Sequence, residues 1–260
     1  MSQDILHTQQ LSVGYTNKKS TLRVASSIEI SLQKGQLISM VGVNGVGKST
    51  LMRTLAGLQK PLSGSVLIGG KNITEYTATQ LAQKLSLVLT EKLPPSQLSV
   101  YELIALGRQP YTNWLGDLSQ DDVQKIEQAI ELTQINHLRN KKYFEISDGQ
   151  LQTVMIARAL AQDTHLIILD EPTTHLDWLH KISLMQLLKK LSHETGKCIL
   201  FSTHDLDMAL EYSDQMVVIT SEKCWQNTPE QLIAEGVFSE LFPKEQVKFD
   251  VIGKRFILIT

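Results

Sequence analysis

One stretch constrains this chain more than any other: Gly42-Val43-Asn44-Gly45-Val46-Gly47-Lys48-Ser49-Thr50 fits the pattern G-x-x-x-x-G-K-[ST] at every fixed position. Its surroundings fit too. Gln36 to Val41 reads as a short buried strand and Leu51 to Ala56 as the first turns of a helix, which is the strand-loop-helix context the pattern requires. Glycines at 42, 45 and 47 let the backbone curl so that successive N–H groups, those of Asn44 and Thr50 among them, face an anion at a helix N-terminus. Lys48 is then placed to reach β- and γ-phosphates and Ser49 to ligate Mg²⁺. The alternative, a glycine-rich turn that binds nothing, leaves the flanking strand and helix as coincidence. The expectation is a site for a nucleoside triphosphate.

The rest of the composition narrows the class. With 260 residues, 42% of them hydrophobic, the chain can bury a sizeable core. Its 25 basic and 27 acidic residues nearly cancel, giving no electrostatic case for nucleic acid or for anionic lipid. No apolar run exceeds four residues, whereas a membrane span needs about 20. Met1 to Gln10 lacks the layout of a signal peptide, so a cytosolic location is expected. Cys198 falls in an expected strand and Cys224 after another, neither with metal-ligand spacing.

Along the chain, Ile5 to Tyr15 and Leu22 to Leu32 alternate as antiparallel strands do, Ser65 to Ile68 reads as another, and Leu85 to Leu89 as a buried one. From Glu91 to about Gln162 the signals are almost only helical: Ser99 and Glu102 form a capping box, and Val123, Ile126 and Ile130 recur at helical spacing. Strand Leu166 to Leu169, helix Trp178 to Leu191, strand Cys198 to Ser202, helix Leu206 to Tyr212 and strand Met216 to Ile219 then argue for a parallel sheet covered on both faces. The fold class expected is α/β: a P-loop NTPase core, a parallel sheet with antiparallel N-terminal strands, carrying an inserted helical subdomain. Core residues are 1–90 and 163–222, the helical subdomain 91–162, and a C-terminal extension 223–260.

Two carboxylates, Asp170 and Glu171, close the apolar run Leu166 to Leu169. Downstream of a phosphate loop they suit a metal and an attacking water, so Asp170 is assigned to Mg²⁺ and Glu171 to the water, against the blander reading of a helix-capping pair before Pro172. His204 ends the next strand. In an open parallel sheet ligands bind beyond the carboxyl ends of the strands, where the phosphate loop, both acids and this one of the seven histidines lie. A neutral imidazole there could bond a γ-phosphate oxygen and hold the water. Ser147 and Gln150 form a second capping box, with Gly149 between them, at the start of a helix running to about Ala161. At 1.5 Å per residue that helix places its start about 22 Å from the strand it leads into. Such a distance is too far for its own phosphate site, and any anion it binds belongs to a second copy.

These residues together resemble the ATP-binding-cassette ATPases over positions 5 to 220. Ile146-Ser147-Asp148-Gly149-Gln150 is similar to the family signature L-S-G-G-Q, and Thr174-His175-Leu176-Asp177 to its aspartate loop. Tyr15 matches the aromatic that stacks on adenine, Glu91 falls where a glutamine normally follows the strand, and His204 matches the switch histidine. The resemblance implies ATP and Mg²⁺ as cofactors and a head-to-tail dimer with two ATP. Each ATP would lie between one subunit's phosphate loop and the other's Ser147, Gly149 and Gln150, with Asp177 beside it and Glu91 near the metal.

More narrowly, Val100 to Arg108 and Glu171 to Asp177 look like the ATPase subunits of importers for iron–siderophores, haem and cobalamin. Such subunits sit on the cytoplasmic face of the membrane beneath permease subunits that an extracytoplasmic binding protein feeds. An exporter subunit and a soluble cassette ATPase are the alternatives. Two departures stand out: Asp148 replaces a glycine that approaches the partner's γ-phosphate, and Glu91 replaces a neutral amide. Tyr111, Trp114 and Leu115 occupy a loop-like stretch that either packs within the helical subdomain or docks a permease.

Overall fold

The computed structural model describes residues 4–16, 20–89, 96–220, 222–241, 247–251, 253 and 255–258. Its elements, in chain order, begin with β1 (Leu6–Thr16), β2 (Thr21–Ile28), β3 (Ser31–Leu32), β4 (Leu37–Val41), α1 (Lys48–Leu55), β5 (Ser63–Ile68), β6 (Lys71–Asn72), α2 (Ala78–Ala82) and β7 (Leu85–Val88). The helical stretch holds α3 (Val100–Ala105), α4 (Gln120–Leu132) and α5 (Asp148–Ala161). There follow β8 (Leu166–Leu169), α6 (Trp178–Thr195), β9 (Cys198–Ser202), α7 (Leu206–Tyr212), β10 (Gln215–Ile219), β11 (Cys224–Asn227), α8 (Pro229–Ala234), β12 (Val247–Asp250) and β13 (Arg255–Leu258).

Two sheets organise these elements. The first is antiparallel, in the order β2-β1-β5-β6 with β3 also on β1. The second runs β11-β10-β4-β9-β8-β7 and is parallel except for β11 at its edge. Period-two alternation divides its side chains between two cores. Ile38, Met40, Leu166, Ile168 and Leu200 join α1 and the first sheet, while Leu37, Ile167, Leu169, Ile199 and Phe201 join the helices α3 to α6. Both faces being covered, β8 is apolar at every position. The stretch expected as a C-terminal extension begins with β11, which pairs with β10 from Met216↔Asn227 to Ile219↔Cys224 and so belongs to the core sheet. Beyond it α8 and the β12–β13 hairpin build a third small core, where Phe249 stacks on Phe238 at 5.0 Å.

In the helical stretch Ile126 and Ile130 are buried as their spacing predicts, but Val123 stays exposed on the outer flank of α4. Arg108 is the polar pin of this region. It is 3% exposed, its Nε donates to Asp122 Oδ1 at 2.7 Å and its Nη1 to the carbonyl of Ala161 at 2.8 Å. Burial pushes the Asp122 carboxyl up, but hydrogen bonds from Ser119 and Arg108 outweigh this and hold it below the usual range. Its contribution is therefore present above the unfolded carboxylate pKa and is lost as pH falls through the lower folded value. Arg108→Met should cost about 3 kcal/mol in urea unfolding at neutral pH, because it strands a buried carboxylate. A loss below about 1 kcal/mol would mean that Ser119 alone satisfies Asp122.

Candidate nucleotide site

The phosphate loop links β4 to α1 at the carboxyl end of the parallel sheet. Its glycines answer to close approaches as much as to torsion: a Cβ on Gly42 would lie 2.6 Å from the carbonyl of Ile219, and Gly47, at φ 104°, would drive one to 2.3 Å from Val24 Cγ1. Gly47 is also the N-cap of α1. Side chains cap every other α-helix among the described residues (Thr77, Ser99, Ser119, Ser147, Asp177, Asp205 and Thr228), but none caps α1. The first N–H groups of α1 thus have no side-chain acceptor, which suits an external anion.

Around this loop the structure gathers most of the expected residues. Lys48, 5% exposed, donates through Nζ to the carbonyls of Gly42 at 2.7 Å and Val43 at 3.3 Å, and Nζ lies 3.3 Å from His204 Nδ1. Burial lowers its pKa, while Glu171 and Asp170 pull it back up. The other imidazole nitrogen of His204 contacts Glu171 Oε1, so His204 bridges the ammonium and the carboxylate. Ser49 Oγ donates to Asp170 Oδ1 at 3.4 Å. Tyr15, 54% exposed, shares a 2.8 Å hydrogen bond between its hydroxyl and Thr50 Oγ1. Tyr15, Leu22, Val24, Asn44, Gly45, Gly47 to Thr50, Glu171 and His204 line a cleft of about 480 Å³.

Ser202 is the member sequence reasoning missed. It accepts from the backbone N–H of Glu171 at 2.9 Å and donates to Asp170 Oδ1 at 2.6 Å, fixing both acids at once. The only signal for it was its place at the carboxyl end of β9. Glu171 itself sits at φ 47°, a left-handed turn that non-glycine residues rarely adopt, and Thr174 Oγ1 donates to its Oε2 at 3.2 Å.

Other expected residues lie apart. Ser147 caps α5 reciprocally with Gln150, and neither they nor Gly149 lines the phosphate-loop cleft. Helix length is not the reason, which corrects the 22 Å argument. Gly149 lies against Leu176 and His180, and Leu176 shares a small cleft with Glu171 and His204, so the start of α5 is at the same end of the sheet and displaced sideways. Asp177 caps α6 and is held by His180. Asp148 is exposed on the first turn of α5. Glu91 lies outside the described residues. Trp114 is 91% exposed, so packing within the helical subdomain does not account for it; Tyr111 does pack, its ring 4.0 Å from the Arg108 guanidinium. Burial pushes both thiols, Cys198 and Cys224, up to about 12, leaving them poor nucleophiles and ligands near neutral pH.

A phosphate loop after β4 at the carboxyl end of a parallel sheet, with two acids after β8, the next strand but one, defines a nucleoside-triphosphatase. A family profile described as ABC transporter matches residues 25–174. The chain is 35% identical over 236 residues to the achromobactin transport ATP-binding protein CbrD of Dickeya dadantii, covering 90% of this chain and 86% of that one. To the ferric enterobactin transport ATP-binding protein FepC of Escherichia coli it is 32% identical over 254 residues, 98% of this chain and 89% of that one. Among solved structures, a nucleotide-free ATP-binding cassette from an ABC transporter superposes with a TM-score of 0.79 at 26% identity, covering 93% of this chain and 97% of that one. The chain belongs to the ABC transporter family and is an ATPase of that family. Among the described residues no helix is long and apolar enough to cross a membrane.

Proposed function

We propose that this chain is the peripheral ATP-hydrolysing subunit of an importer for metal chelates of the iron–siderophore, haem or cobalamin type, working at the cytoplasmic face of the membrane. The observation that carries the nucleotide chemistry is the start of α1: the one α-helix start without a side-chain cap, among the described residues, adjoins the Lys48, Asp170, Glu171 and His204 cluster. The chelate class rests on relatives whose names specify achromobactin and ferric enterobactin transport.

In this reading the backbone of Gly42 to Thr50 cradles the phosphates, Tyr15 stacks on adenine, and Lys48 turns from its carbonyl partners to the β- and γ-phosphate oxygens. Ser49 Oγ and Asp170 Oδ1, two hard oxygens held close together, fit a cation that keeps water and phosphate among its ligands, as Mg²⁺ does. When bound there, Mg²⁺ would neutralise charge on the phosphate oxygens. Glu171 orients the attacking water and accepts its proton, and His204, released from Lys48, holds the γ-phosphate oxygen. Ser147, Gly149 and Gln150 of a second copy close the far side of the nucleotide, with Asp177 at the seam. That none of these residues is among the described ones lining the cleft of its own chain supports a second copy as their source. Asp148 brings a carboxylate toward that nucleotide and should weaken closure relative to a glycine.

Closure would drive two permease subunits loaded by an extracytoplasmic binding protein. The exposed Trp114 and Leu115 supply an apolar contact for that docking. Affinity-tagged chain, solubilised from membranes of its native host, should bring down a polytopic permease identifiable by mass spectrometry. Trp114→Ala should lower that recovery about tenfold, the scale of a central interface tryptophan, with ATP hydrolysis by the purified chain unchanged. Recovery of ribosomal or DNA-repair proteins and no membrane protein would retain the ATPase and overturn the transport reading.

A further inference from the structure

The start of α5 and the loop before α6 meet at one side chain that the mechanism above leaves unused. His180 lies on the first turn of α6. A Cβ built on Gly149 would stand 3.1 Å from His180 Cδ2 and 3.6 Å from Leu176 Cδ2, so the imidazole rests directly against the glycine. On its other edge, Nδ1 is 2.6 Å from Asp177 Oδ2, and the backbone N–H of His180 donates to Asp177 Oδ1 at 2.9 Å. Those bonds from His180 hold the Asp177 carboxyl below its usual range, so it is ionised at neutral pH and can only accept. Nδ1 therefore donates to it, and the ring cannot turn without breaking a charge-assisted bond.

Leu176, from the loop before α6, is the other side chain among the nearest neighbours of Gly149. The main neighbours of α5 are α3, α4 and β7, and those of α6 are β4, β9 and α7. Between the two helices opens a cleft of about 380 Å³ lined by Gly149, Thr153, His180, Leu184 and Leu187 among others. The His180 side chain is 58% exposed, so it is no part of the core. An exposed ring of fixed orientation, wedged between a glycine and an aspartate, suits a spacer.

We propose that His180 is a positioning residue: tethered to Asp177, it sets how Ser147 to Gln150 is presented to the nucleotide of a second copy, and it makes that presentation follow the loop before α6. The proposal rests on the two-nucleotide dimer described above and adds a coupling within each chain to it. Contacts of this kind modulate coupling between sites by about 2- to 30-fold.

The test uses the full chain carrying Glu171→Gln to prevent turnover, with three readouts: fluorescent-nucleotide binding to the monomer, the ATP-driven dimer constant from sedimentation, and the melting temperature. Adding His180→Ala should leave monomer affinity within about twofold and weaken dimerisation about tenfold. His180→Phe keeps a ring against Gly149 without the bond to Asp177 and should weaken it at least about threefold. Dimerisation at the parental level in His180→Ala, or in His180→Phe, overturns the tethered spacer. So does a parallel fall in monomer nucleotide affinity and melting temperature, which would make His180 a folding residue. If the parent chain forms no dimer with ATP under any condition, the sandwich reading itself fails and this proposal falls with it.

Discussion

Glu171→Gln should lower kcat by about 10²- to 10⁴-fold, the usual cost of removing a positioned general base, with ATP affinity unchanged or tighter. The two effects part company for a geometric reason. The amide keeps an oxygen for the Thr174 hydroxyl and the same length of side chain, so the loop at φ 47° need not rearrange. It loses the capacity to take a proton. It also removes a negative charge from the place where γ-phosphate charge must enter, beside a Lys48 ammonium that Glu171 otherwise favours. Single-turnover hydrolysis and equilibrium nucleotide binding, measured separately, check this. A fall in kcat of under about tenfold would move the water-activating role from Glu171 to His204, its contact partner.

Lys48→Ala should weaken ATP binding by about 100-fold, which corresponds to the loss of one or two charge-assisted hydrogen bonds. In the free protein the ammonium is almost fully buried and spends its hydrogen bonds on the carbonyls of Gly42 and Val43. Those carbonyls are weak substitutes for a phosphate, so the side chain is poised to exchange partners. Because burial lowers the Lys48 pKa, the charge is lost at a lower pH than for an ordinary lysine. The sign is set by that direction: ATP affinity is full while the ammonium persists and declines as pH rises through the lowered value, earlier than an unperturbed lysine would give. Isothermal titration with ATP across alkaline pH measures both effects. Lys48→Arg should fail to restore binding, since the planar guanidinium does not fit between Gly42, Val43 and His204. Wild-type affinity in Lys48→Ala would remove the phosphate-loop reading.

Much of this was legible from residues alone. The strands β8 and β9 and the helix α7 fall where their local pattern puts them, because buried parallel strands are continuous apolar runs and capped helices announce their starts. The chemistry of Lys48, Ser49, Asp170, Glu171 and His204 was readable for a related reason. Each sits at the end of a strand or the start of a helix, so one-dimensional order already implied one end of the sheet. Elements with short or mixed signals were not readable. Residues 223–260 mix helix and strand signals and read only as a C-terminal extension, yet β11 closes the edge of the core sheet and three phenylalanines, Phe238, Phe249 and Phe256, pack behind it. Val123 has the right spacing yet stays exposed, since spacing says which residues share a helix face and not how wide a stripe of it is covered.

What the sequence determined by itself was the chemistry: a loop that can wrap phosphates, two acids and a histidine at strand ends, a capped helix start at Ser147. Each depends on covalent order and local backbone preference, which act over a few residues. What only the tertiary structure decided was juxtaposition. Ser202 clamps Asp170 and Glu171 because β9 lies beside β8 in register, Leu169 opposite Phe201. Tyr15 reaches Thr50 because the antiparallel sheet folds over α1. Gly149 meets His180, and not its own phosphate loop, because lateral displacement across the sheet, rather than helix length, sets where the start of α5 lies. Contacts of that kind join residues far apart in the chain, and their energies depend on packing that no local pattern encodes.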